Sequence, residues 1–76
     1  MSFRKYIVRN GSEDAWLIHI FMDKDRKVYQ YMPDAGMAIR YETMHEAKKI
    51  AKACRGKVQI LRMDKDGNAF GEDIGQ

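Results

Sequence analysis

The side chains that could carry chemistry in this chain are few and stand apart. His19 and His45 are 26 positions from each other, and Cys54 is the single cysteine. A zinc site draws three or four such ligands from short recurring spacings, and none occurs here. His45 falls at a helix start and reads as an exposed residue, while Cys54 reads as a small buried hydrophobe on an apolar helix face. Asp64-Lys65-Asp66-Gly67-Asn68 begins like a calcium loop. Its glycine comes two residues too early for that loop's sharp turn, however, and the twelfth position holds Gly75 where a bidentate glutamate is needed. Ser2 and Ser12 lack a base in prospect. Glycines 11, 36, 56, 67, 71 and 75 are scattered as turn residues and form no phosphate-cradling loop. The expectation is a protein that is not an enzyme and uses no metal or cofactor.

The element with the clearest instructions is a helix. Thr43 is followed three residues later by Glu46, the pairing in which a hydroxyl caps one orphan N–H and a carboxylate reaches back to another. Met44, Ala47, Ile50, Ala51 and Cys54 then recur at spacings of three and four, so they share one face. His45, Lys48, Lys49, Lys52 and Arg55 point elsewhere. Gly56 is expected to take the left-handed C-cap conformation, which places the helix at residues 44–55, roughly 18 Å long.

Strands surround it. Phe3–Arg9 is rich in aromatic and β-branched residues and ends at the Asn10-Gly11 turn signal. Ala15–Met22 is apolar on both faces, as expected of a central strand. Lys27–Met32 returns antiparallel after the polar loop 23–26 and stops at Pro33-Asp34-Ala35-Gly36. Residues 37–41 read as either a short strand or an extended crossing segment. Lys57–Met63 is a strand after the helix, and 69–76 is a frayed tail or a brief hairpin partner. This β-β-β-(β)-α-β order predicts a single domain over 1–76 of the α+β class: a two-layer sandwich with one helix on a mostly antiparallel sheet of four or so strands.

A chain of 76 residues buries only a little over ~60% of its unfolded surface, so its core is small. One cysteine cannot form an intramolecular disulfide, which favours a reducing, intracellular setting. The most apolar window, Ala15–Met22, is too short for a membrane span and lacks the features of a signal peptide. The net charge of +3 conceals an asymmetry: residues 40–62 carry seven basic and two acidic groups, and residues 63–76 carry one and four. A lysine-rich helix face is also the ordinary way to keep a helix solvated.

Strand alternation divides the sheet side chains into two sets. Trp16, Ile18, Ile20 and Met22, with Phe3, Ile7, Val28, Met32, Val58 and Ile60, form the expected core face. The other face then displays Tyr6, Val8, Leu17, His19, Phe21, Tyr29, Tyr31 and Leu61, and apolar area of that extent marks a contact surface. A register shifted by one would exchange the sets, and the C-terminal segment could cover the second.

Lys5–Gly11 and Tyr41–Leu61 together resemble short proteins encoded by phages and prophages. These begin with a KYVI-type strand and an Asn-Gly turn, and end in an F-T-x-x-E-A helix followed by glycine and a valine-rich strand. The match is one of pattern over about half the chain and carries over no functional residues. It implies an accessory protein of the bacterial cytoplasm, in a class where some members inhibit host defence by binding a protein or sequestering a nucleotide signal. Trp16, the 23–27 turn and Thr43–Ala47 are similar to the amino-terminal arm-binding domains of phage tyrosine integrases, which place a three-stranded sheet in the DNA major groove. The strand after the helix departs from that plan, and Asp23, Asp25 and Asp34 sit poorly against phosphates.

Two functions follow as expectations. The first is a non-catalytic binding protein that occupies a host or phage protein through Tyr6, Phe21, Tyr29 and Tyr31. The alternative is binding of nucleic acid or a nucleotide phosphate through Lys48, Lys49, Lys52, Arg55 and Lys57, or through the sheet with Arg4 and Arg9. Homodimerisation through the open face is compatible with both, and no membrane is expected as a partner.

Overall fold

The computed structural model describes residues 4–74, so the expectations placed on Ser2, Phe3, Gly75 and Gln76 lie outside the described residues. The elements are β1 (Tyr6–Arg9), β2 (Trp16–Asp23), β3 (Arg26–Met32), a 3-10 turn (Ala35–Met37), α1 (Met44–Cys54), β4 (Lys57–Met63) and β5 (Ala69–Asp73). All strand pairs are antiparallel, in the spatial order β3-β2-β1-β4-β5. The fold is the expected α+β sandwich, with five strands among the described residues. Residues 69–73 therefore serve as a hairpin partner of β4, closed by a turn in which the Asp64 carboxylate accepts from the Asp66 and Asn68 N–H groups.

The helix starts where the sequence indicates. Thr43 Oγ1 accepts from the Glu46 N–H at 3.1 Å, and its own hydroxyl donates to the Glu46 carboxylate, which turns to Thr43's side chain and not to its backbone. The stop corrects the expectation. Arg55, not Gly56, is left-handed, with φ 59° and ψ 36°. Gly56 serves a different constraint: a Cβ there would stand 2.6 Å from the Arg9 carbonyl oxygen and 2.8 Å from Val8 Cγ1. The chain needs glycine for the close approach of helix end to β1, and the conformational strain falls on Arg55.

The division of the sheet faces is also corrected. Val8 and Leu17 are fully buried beneath Ala47 and Ala51, and Tyr6, Ile20, Tyr29, Tyr31 and Val58 pack around them. The set expected to lie open is thus largely the helix-covered face. Ile7, with Trp16, Leu61 and Ala69, faces the other way and is covered by Ala35 and Ala38 of the turn segment. An irregularity between Leu17 and His19 leaves Ile18 without a counterpart on β3, so Leu17 and Ile20, three apart, share the helix side while His19 and Phe21 share the other. Simple alternation fails at that bulge.

Residues 38–41 solve a topological problem. The 3-10 turn covers one face and α1 the other, so the chain between them must pass from face to face. It does so where β1 and β2 diverge, since Arg9 and Trp16 form the one register pair between these strands. The Ile39 N–H donates to the Leu17 carbonyl at 3.0 Å, and Tyr6 and Tyr41 exchange two backbone hydrogen bonds of 2.9 and 2.8 Å. Residues 37–41 are thus a crossing segment with a single bridge, not a strand.

Replacing Arg55 with glycine is expected to raise stability by about 0.5–1 kcal/mol by relieving the left-handed conformation. Gly56→Ala is expected to lower it by about 1–3 kcal/mol through overlap with β1. Urea denaturation midpoints check both, and an unchanged midpoint for Gly56→Ala would refute the close-approach account.

Candidate binding surfaces

The four tyrosines converge on the helix-covered side. Tyr6, Tyr29, Tyr31 and Tyr41 all pack against the Val8–Leu17–Ala47–Ala51 cluster, with Ile50 and Cys54 beside them. Burial pushes the Tyr31 phenol well above the ordinary tyrosine value, and the adjacent Cys54 thiol adds to the shift. Tyr41 is raised too, first by burial and then by nearby Cys54 and Glu46. Of the four residues expected to form an aromatic contact face, Tyr6 is therefore part of the core surround. Tyr29 and Tyr31 are half-buried at its margin, and only Phe21 stands on the opposite face. Ala47 and Ala51 are too small to fill the space on this side of the sheet, and the tyrosine rings pack there around them.

What stays open is the outer end of the β2–β3 hairpin. Every residue from Phe21 to Lys27 is exposed, although the strands remain paired as far as Asp23 and Arg26. Phe21 is 36% and Met22 59% exposed. His19 stacks on Phe21 with ring centroids 5.5 Å apart. An open groove of about 510 Å³ runs beside β3, lined by Asp23, Arg26, Lys27, Val28, Tyr29 and Tyr31. The molecule accordingly measures 42 × 23 × 22 Å.

The second surface lies at the other end of the sheet. Lys48, Lys52 and Lys57 line a groove of about 550 Å³ between α1 and β4–β5, over Met44, Ala51, Val58 and Ile74. Lys49 and Arg55, the other two candidates for phosphate binding, do not line it. The ion pairs among the described residues are Lys5–Glu42, Arg9–Asp14 and Arg62–Glu72, so none includes a groove lysine, although Lys57 lies near enough to Asp73 to favour its ionised form. Arg9 is held by Asp14 and by the Asn10 carbonyl, so its guanidinium is already engaged.

Between the two surfaces runs a polar relay that sequence reading missed. Gln59, only 5% exposed, accepts from the Trp16 indole N–H at 2.8 Å and donates to the Asp73 carboxylate at 2.8 Å. That bond, with Lys57 nearby, holds the Asp73 carboxyl below its ordinary value of 3.8. Gly71 makes room for it, because a Cβ there would overlap the Gln59 amide. The one legible signal was a glutamine between Val58 and Ile60 in an apolar strand. The relay is structural in kind, joining β2, β4 and β5 under the 3-10 turn.

No group of three or more His, Cys, Asp or Glu residues among those described could hold a metal ion. No described helix is long and apolar enough to cross a membrane. Comparison of the chain with protein-family models, curated proteins and solved structures returns no match.

Gln59→Leu should cost about 1–2 kcal/mol by leaving the Trp16 indole N–H unpaired. Because Asp73's folded value is depressed, its share of stability is present above pH 4 and fades as pH falls through that lowered value. The difference between wild type and Gln59→Leu should therefore narrow in acid, and a difference constant with pH would remove Asp73 from the relay. At the other extreme, the raised Tyr31 and Tyr41 keep protons that the unfolded chain releases, so native stability falls as pH rises past 10. Tyr31→Phe with Tyr41→Phe should flatten that alkaline loss in denaturation curves taken from pH 9 upward.

Proposed function

We propose that this chain is a small non-catalytic binding protein that engages a protein partner through its β2–β3 hairpin. The observation that carries the reading is the exposed run Phe21–Lys27, which presents Phe21 and Met22 on a paired two-stranded element beyond the region covered by either layer. Phe21, stacked on His19, and Met22, on the side of Tyr29 and Tyr31, point to opposite faces of the hairpin, so each face offers an exposed apolar side chain bordered by the charged run 23–27. Tyr29 and Tyr31 contribute one wall of the adjoining groove, which retains them as contact residues, while Tyr6 is withdrawn from that role. The pattern-level resemblance to short phage proteins agrees with an accessory binder acting on a host or phage protein. No cofactor or chemical step enters this reading.

Nucleic-acid recognition draws on a different end of the molecule and has a distinct signature, since counterion release makes phosphate binding fall steeply with salt. The experiment is affinity capture from bacterial lysate on tagged protein, with and without nuclease, comparing wild type with Phe21→Ser/Met22→Ser. The expected result is a nuclease-resistant protein retained by wild type and reduced about tenfold by the variant, whose unchanged circular dichroism shows the fold intact. Equal retention by a folded variant would remove the hairpin as the contact element, and loss of all bound material on nuclease treatment would shift the reading to nucleic acid.

A further inference from the structure

The α1/β4–β5 groove differs in chemistry from the hairpin. Its floor is aliphatic, made by Met44, Ala51, Val58 and Ile74, and its rim holds three ammonium groups, Lys48, Lys52 and Lys57. The one carboxylate in the lining, Asp73, accepts from the Gln59 amide and remains ionised with Lys57 near it, which leaves Lys48 and Lys52 as the cations available to a ligand. No aromatic ring lines the groove on which a base could stack, and no hydroxyl or free amide that could read a base edge. The ligand that fits this set carries negative charge and an aliphatic group, with no demand for stacking.

Spacing narrows the class. Lys48 and Lys52 are four residues apart on one helix, which sets them about 6 Å apart along its axis. An extended chain places alternate side chains on one side at about 6.6–6.8 Å intervals. Alternate carboxylates of an extended peptide therefore match the two lysines, with a third same-side residue free to set an aliphatic group on the floor. We propose that the groove is a binding site for an extended acidic peptide segment bearing an aliphatic side chain, independent of whatever the hairpin contacts. Lysine suits such a site, because its ammonium is a point charge on a stem that can lie along apolar surface.

The test uses a fluorescein-labelled peptide, Ser-Glu-Ser-Glu-Ser-Leu-Ser, titrated with full-length protein and read by anisotropy. Controls replace both Glu by Gln, or Leu by Ala, and a third probe is a hexathymidylate of similar length. The peptide is expected to bind and to weaken with salt. The two peptide controls and the hexathymidylate should bind less. Lys48→Gln/Lys52→Gln should weaken binding about threefold to tenfold, while Lys49→Gln, outside the groove, changes it less than about twofold. Three results would overturn the proposal: no binding up to about 1 mM peptide, equal loss in the Lys49→Gln protein, or tighter binding of the hexathymidylate. The last would assign the groove to phosphate. All three substitutions are at exposed positions, and a retained unfolding midpoint confirms that any loss is one of binding.

Discussion

The passage of the chain from one face of the sheet to the other is the constraint on which the rest of this structure depends. A five-stranded sheet of this size has two apolar faces, and the sequence supplies one helix. The second face is covered by a short segment, Ala35–Ala38, and chain order requires that segment and α1 to be joined directly. The join is possible because β1 is only four residues long and parts from β2 after a single register pair. The backbone groups that the parting would leave unpaired on Tyr6 and Leu17 are those taken up by Tyr41 and Ile39.

That one device distributes the remaining roles. Both faces of β1 are sealed, so Ile7 and Val8, adjacent in sequence and pointing to opposite sides, are each fully buried. Two small clusters replace one large core, and each relies on close approach: Ala47 and Ala51 on one side, Ala35 and Ala38 on the other. Small residues bring backbones near, and the glycine at 56 completes the fit at the helix end. The second cluster is too thin to seat an indole and the β5 strand by apolar contact alone. The Trp16–Gln59–Asp73 relay supplies fixed geometry there, because a buried amide that satisfies both neighbours specifies one arrangement.

Much of this was legible in the residues. Thr43 and Glu46 mark the helix start, and the apolar spacing to Cys54 marks its length. Pro33 and the Asp64–Asn68 turn bound the strands as expected, so the fold class followed. The faces did not follow, and the reason is local. Period-two reading assumes that each strand keeps one phase, whereas the bulge at Ile18 changes phase within β2. Size and lack of charge pointed to Trp16 and Ile18 as core beneath the helix, yet an alanine-rich helix favours aromatic fillers with a polar end, so the tyrosines took that side. The sequence likewise offered Gly56 as the C-cap, since nothing in a linear pattern shows that Arg9 and Val8 press on it from another strand. Of the candidate site, the basic helix was readable, but which of its cations share a groove depends on where β4 and β5 lie.

The same partition explains why the two candidate surfaces are separable. Strand order puts the hairpin at one edge of the sheet and the lysine groove near the other, with the sealed β1 between them. An isolated hairpin is at best marginally stable in water, so the exposed outer turn of β2–β3 owes its order to its root, where half-buried Ile20 and Tyr31 pack with the buried Leu17. Keeping Phe21 and Met22 in water adds nothing to that order. The unfolded chain exposes them as well, so their exposure is a gain that the folded monomer forgoes and that burial against a partner would supply. The groove lysines, by contrast, are well solvated, and their apolar floor is partly shielded by their own stems. Binding at the hairpin would therefore be governed by apolar contact and tolerate salt, whereas binding at the groove would be governed by charge and weaken with it.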